Sequence, residues 1–250
     1  MLTVSLVLAG LAWAVTRLEA WRLGDAVLHA IVCAAGEGCP DALEDAYGAE
    51  IAEALRRYAP NIVYEHGSAQ LPVDFRRCRE VGCSDGSDRA EEIDRSAAGL
   101  PVTAFTRVVD RRGTGGSLYA QYWFYFPQSF SGGIGRVFGK RWPGEHEDDW
   151  EGVQLRIAPG GRASARATAH GGYRNTKHGE GWGEWKGWYR VSGGSHAGHL
   201  VDVPGEERTT RASSLRLVPL ESLNGTSNYS FAISPPWRKA VYMDPEDRNS

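Results

Sequence analysis

The stretch from Leu118 to Phe126 constrains this chain more than any other, because both of its faces are aromatic. Tyr122, Phe124 and Phe126 alternate with Tyr119, Trp123 and Tyr125. Successive side chains on a strand point to opposite sides, so a strand written this way must be covered twice, as in the middle of a β-sandwich. Two hairpin signals surround it. Thr103 to Asp110 and Leu118 to Phe126 flank Arg111-Arg112-Gly113-Thr114-Gly115-Gly116, and Val153 to Ala158 and Ala163 to Ala169 flank Pro159-Gly160-Gly161-Arg162. Asn61 to Glu65, Leu71 to Phe75, Leu215 to Leu220 and Tyr229 to Ile233 read as further strands. With 31 glycines, nine tryptophans and ten tyrosines, the fold class is mainly β: a two-sheet antiparallel β-sandwich over residues 60–250 with an N-terminal helical segment. The net charge of -3 excludes a nucleic-acid binder, which carries a basic face.

The sandwich is preceded by two segments of different character. Residues 1–16 hold no charged side chain, and Ala12-Trp13-Ala14 has the small-x-small form of a cleavage site, so this stretch reads as a signal peptide or membrane anchor. Residues 17–59 form a helical prefix. In it Asp41 is placed as an N-cap, and Leu43, Tyr47, Ile51, Leu55 and Tyr58 make one apolar stripe that stops before Pro60. The four cysteines fall in two local pairs, Cys33 with Cys39 and Cys78 with Cys83, with neither at the spacing of a zinc or redox motif. Two short-loop disulfides and an extracytoplasmic, secreted or membrane-anchored protein are expected.

Chemistry concentrates between Glu145 and Glu151. Six of these seven residues are His, Asp or Glu, the exception being Trp150. Val153, Leu155 and Ile157 alternate with Gln154 and Arg156 just downstream, and that parity turns Asp149 and Glu151 toward the apolar side. Carboxylates facing a core are costly unless something neutralises them. A divalent cation held by Asp149 and Glu151 meets that need, with His146 adding a nitrogen or holding a water. His170 joins only in one hairpin register. A two- or four-residue loop sets it opposite Glu151, whereas a three-residue loop opposes the apolar face with alanines and turns it away.

A second feature is the glycine-spaced Trp182, Trp185 and Trp188, followed by Ser195-His196-Ala197-Gly198-His199. Amphipathic aromatics of this kind stack on sugar rings or rest at a membrane interface, or else cover the end of the sandwich. These tryptophans and His196 are the candidate ligand-binding residues.

Tyr125-Phe126-Pro127, His146-Glu147-Asp148-Asp149-Trp150-Glu151 and Ala169-His170-Gly171-Gly172-Tyr173 together resemble the necrosis- and ethylene-inducing-like protein family, whose heptapeptide reads Gly-His-Arg-His-Asp-Trp-Glu. Arg57-Tyr58-Ala59-Pro60 and Gly194-Ser195-His196-Ala197 look more like a related vacuolar-sorting-associated family with a His-x-x-Asp-Trp-Glu core. The resemblance covers roughly residues 55 to 240. It implies a β-sandwich with a surface divalent-cation site that engages sphingolipid headgroups and damages membranes. Carried over by position, His146, Asp149 and Glu151 match the heptapeptide's first histidine, aspartate and glutamate. Asp148 stands for the second histidine and Glu145 for the glycine. Gln128 and Ser129 stand where the family has a further aspartate, whose oxygen Asp148 would replace.

Three functions compete on these residues. The first is recognition of an anionic or glycan headgroup at a membrane surface through magnesium, calcium or manganese, the cations that hard oxygen ligands favour. The second is a metal-dependent hydrolase with Glu147 or Asp148 as base. The third is a structural domain whose acidic run is surface. The sequence sets no oligomeric state.

Overall fold

The computed structural model describes residues 41–66, 68, 70–78, 82–86, 92–130, 145–169, 172–174, 181–202, 208–223 and 229–245. The chain divides into two compact units, residues 1–41 and 42–250. Of the two expected disulfides, the one between Cys78 and Cys83 is formed. The other, between Cys33 and Cys39, falls in residues 1–40 and lies outside the described residues. The apolar stretch 1–16 lies outside them as well. Among the described residues no helix is long and apolar enough to cross a membrane.

The second unit opens with helices α1 (Ala42–Tyr47) and α2 (Ala49–Tyr58). The single helical stripe is interrupted at Gly48, whose φ of 78° is a left-handed conformation that glycine adopts freely. The apolar stripe survives the break. Leu43 and Leu55 are buried, and Tyr47, Ile51 and Tyr58 pack against the same core. At the end of α2 the carbonyl of Leu55 accepts a hydrogen bond from Tyr122 Oη at 2.7 Å, which satisfies one of the carbonyls a helix terminus leaves open.

Two sheets follow. The larger runs β11 (Arg216–Pro219), β2 (Thr103–Asp110), β3 (Leu118–Ser129), β4 (His146–Ile157), β5 (Ala163–Ala169) and β6 (Gly172–Arg174), with β7 (Gly183–Glu184) also paired to β5. The smaller runs β10 (Arg208–Thr210), β1 (Asn61–Tyr64), β8 (Trp188–Val191) and β9 (Gly198–Leu200). The mainly β, two-sheet reading holds. The sheets are mixed, not purely antiparallel, because β1 runs parallel to β8 and β11 parallel to β2.

The aromatic strand β3 lies inside the larger sheet and is covered on both faces. Tyr122, Phe124 and Phe126 join Ile62, Tyr64 and Tyr189 of the smaller sheet in one apolar cluster. Trp123 and Tyr125 join Phe75, Phe105, Trp150 and Tyr242 in a second. Two expected strands are absent. Leu71–Phe75 is irregular, with Pro72 lacking an N–H and its carbonyl taken by Thr103 N. Residues 229–233 form no ladder either, and the N–H of Ala232 is bonded to a carboxylate instead.

The irregular 71–78 segment is fixed by two devices. One is the Cys78–Cys83 disulfide. The other is Asp74, 2% exposed, which accepts from Arg76 Nε and Nη2 at 2.9 and 2.6 Å and from Arg216 Nη1 at 3.3 Å. Burial pushes the Asp74 carboxyl up, but the Arg76 hydrogen bonds and charge, with Arg216 behind them, outweigh it and hold the group below its usual value. A depressed carboxyl contributes stability that is full above its unfolded pKa of about 3.9 and disappears as pH falls through the folded value. Asp74→Asn should therefore flatten the acid limb of a stability–pH curve below about pH 4. An acid limb of unchanged slope in chemical denaturation would contradict this.

Candidate acidic site

β4 begins at His146, so the run from His146 to Glu151 is strand and its register is fixed against β3. Phe126 opposes Asp149 and Phe124 opposes Glu151. Cross-strand partners share a face, which puts both carboxylates on the side of the inter-sheet core, each 5% exposed. Trp150 faces the other way. It is 6% exposed, with Tyr125 and Trp237 rings at 5.0 and 4.9 Å, so it anchors the strand from behind.

The partners of Asp149 come from another part of the chain. His196, in the loop between β8 and β9, sets its Nδ1 2.9 Å from Asp149 Oδ2. Its ring lies parallel to Phe126, with centroids 3.9 Å apart and planes 2° apart. His146 Nε2 is 3.9 Å from Asp149 Oδ1. Glu151 accepts from the hydroxyl of Thr168, which in turn accepts from Gly152 N at 2.7 Å. Tyr189 and Tyr242 report the charge of the pair. Burial pushes both phenols up, and Glu151 and Asp149 push them further. Lys239 feels the same carboxylates, though burial outweighs them and pulls it down.

Two side chains here sit on unusual backbone. Asp148 has φ 58° and His196 φ 53°, a region in which non-glycine residues are uncommon and which clusters at functional sites. Strand alternation places the Asp148 carboxylate in the opposite layer, on the Trp150 side, where it accepts from Tyr125 Oη and Ala232 N, both at 2.8 Å. Glu147 is exposed and Glu145 half-exposed.

The β4–β5 hairpin takes the alanine register. Val153 opposes Ala167 and Ile157 opposes Ala163, and Ala158 N donates to Arg162 O at 2.9 Å around a three-residue loop. His170 lies outside the described residues. Among the described residues no group of three His, Cys, Asp or Glu side chains is drawn together as metal ligands. Asp149 and Glu151 nonetheless present two buried carboxylates on one face of β4, oxygen donors of the kind that suit a hard cation, and His196 is bonded to the first of them.

The tryptophans do not converge on this site. Trp182 packs near Tyr119, and the guanidinium carbons of Arg156 and Arg166 lie 4.9 and 4.7 Å from its ring centre. Tyr119 is seven positions (126 − 119) along β3 from Phe126, the residue opposite Asp149, or roughly 23 Å. Trp185 packs on the inter-sheet core and Trp188 under Arg211. All three are half-buried. Trp182→Ala is expected to lower stability by about 2 kcal/mol, less than for a fully buried aromatic, in urea denaturation. A change below about 0.5 kcal/mol, the size of an ordinary surface substitution, would contradict that packing role. His196 is the residue of that candidate group which meets the acidic run, and its pairing with Asp149 across 47 positions leaves no local signal in the sequence.

No family model matches the sequence, and no curated protein matches it. Its structure neighbours are toxin-fold proteins of the necrosis- and ethylene-inducing-like kind, at low identity. One, "Toxin fold for microbial attack and plant defense", is 14% identical over 77% of this chain and 84% of its own, with a TM-score of 0.46. "NLPPya in complex with mannosamine" is 16% identical over 72% of this chain and 81% of its own, TM-score 0.44. "NLPPya in complex with glucosamine" is 17% identical over 68% and 73%, TM-score 0.38.

Proposed function

We propose that this chain is an exported recognition protein that binds an anionic or glycan headgroup at a cell surface with the help of a divalent cation, magnesium, calcium or manganese. One observation carries the reading: Asp149 and Glu151 lie two positions apart on one face of β4, both buried, with His196 bonded to the first. Like charges placed so close and so dry repel and lose hydration. Asp149 and Glu151 would hold the cation, which would supply neutralising charge and an open position for a headgroup oxygen. His196 keeps the Asp149 carboxylate oriented, and His146 stands half-exposed at the rim. The hydrolase reading is weaker, because the Asp148 carboxylate is engaged by Tyr125 and Ala232, leaving exposed Glu147 as the base.

The test is binding of the full chain to immobilised glucosamine, mannosamine and vesicles bearing glycosylated sphingolipid, with and without EDTA. Binding that needs magnesium, calcium or manganese and is lost in Asp149→Asn supports the proposal. Binding indifferent to EDTA rejects the cation, and no binding to any of the three rejects recognition.

A further inference from the structure

At the opposite end of the larger sheet from Asp149, the register lines up Tyr119, Arg156 and Ser164 side by side on β3, β4 and β5. Together with the glycine turns at Gly116 and Gly160 and the exposed Arg162 they line a groove of about 630 Å³, within the range of small-molecule sites. Its charge is one-sided. Arg156 Nε donates to Ser164 Oγ at 3.3 Å, and its guanidinium lies against Trp182. Arg166, next to it on the same face, bonds Gln154 Oε1 and the carbonyl of Pro245. The Arg156 and Arg166 guanidinium carbons both lie against the Trp182 ring, 4.9 and 4.7 Å from its centre, and burial pulls Arg166 down. Among the described residues no carboxylate forms an ion pair with Arg156, Arg162 or Arg166. Glu184 opposes Ser164 in β7 and shares its face, but it does not line the groove.

A half-buried guanidinium stacked on an indole beside a hydroxyl, Arg156 with Ser164, and a second guanidinium at the rim, Arg162, are suited to a tetrahedral oxyanion, which Arg binds with forked hydrogen bonds. A groove of this size also holds a ring beside the anion. We propose that this groove is a second binding site, independent of the acidic one, for a phosphate or sulfate ester carried on a sugar-sized polar scaffold, with Arg156 and Arg162 as its anion ligands.

The test is calorimetric titration of the full chain at low salt in EDTA, so that the acidic site contributes no cation-dependent signal. The probes are glucose 6-phosphate, glucose 6-sulfate, glucose, and phosphatidylinositol-phosphate vesicles. Both soluble esters should bind and glucose should not. Arg162→Gln, an exposed substitution that leaves the fold intact, should weaken ester binding at least fivefold, and Arg156→Gln at least tenfold. Adding about 0.5 M sodium chloride should weaken it further. No binding of either ester, ester binding unchanged in both variants, or binding to vesicles alone would each overturn the proposal. The result is separable from the acidic site, since Asp149→Asn should leave ester binding unchanged.

Discussion

Trp150→Ala is expected to cost about 3–5 kcal/mol of folding stability, the range for truncating a buried aromatic. Trp150 lies between two carboxylates that face the inter-sheet core, and its own ring goes the opposite way. There it meets Tyr125, Trp237, Phe75, Phe105 and Phe231, with centroids 4.9–5.8 Å away. The residue therefore holds β4 in register from behind and makes no direct contribution to ligand. Among the described residues its buried indole N–H has no hydrogen-bond partner, so Trp150→Phe should lose less than half as much. Urea denaturation with an alanine variant within about 1 kcal/mol of wild type, small against the usual core truncation, would show that the aromatic layer does not set the strand.

His196→Ala is expected to cost about 3 kcal/mol, because it removes the partner of a buried carboxylate and a ring stacked on Phe126. Much of that loss comes from the stranded Asp149. The double variant with Asp149→Asn should therefore be more stable than the two single losses added together, by about 1 kcal/mol or more in a double-mutant cycle. Strict additivity would mean that the two side chains do not interact.

The parts of this molecule that were legible in the sequence are those governed by short periods. Alternation along 103–110 and 163–169 places β2 and β5 at their observed bounds, and the two-faced aromatic pattern of 118–126 places β3 inside a sheet. The parity argument also turned Asp149 and Glu151 to the core side correctly. What escaped was set by single residues or by distant partners. Gly48 breaks a helix that its apolar stripe alone would continue. Asp148 follows the strand's alternation onto the Trp150 face, but its bond to Ala232, a partner 84 positions away, is invisible locally, and that same bond replaces the ladder expected for 229–233. Parallel pairing of β1 with β8 sets Asn61 against Trp188, 127 positions (188 − 61) away, which no local pattern encodes. The tryptophans are spaced like a binding loop, yet each is held by a different neighbour, because spacing in a glycine-rich loop does not determine direction.

The central claim is that Asp149 and Glu151 are a cation site, and thermal unfolding with added metal tests it most directly. A cation that binds only the folded chain adds RT ln(1 + [L]/Kd), about 2.7 kcal/mol at a hundred times Kd. Magnesium, calcium or manganese should raise the melting temperature, EDTA should reverse the rise, and Asp149→Asn or Glu151→Gln should abolish it. Neutral variants that melt above wild type and gain nothing from metal, beside a wild type indifferent to EDTA, would contradict the account.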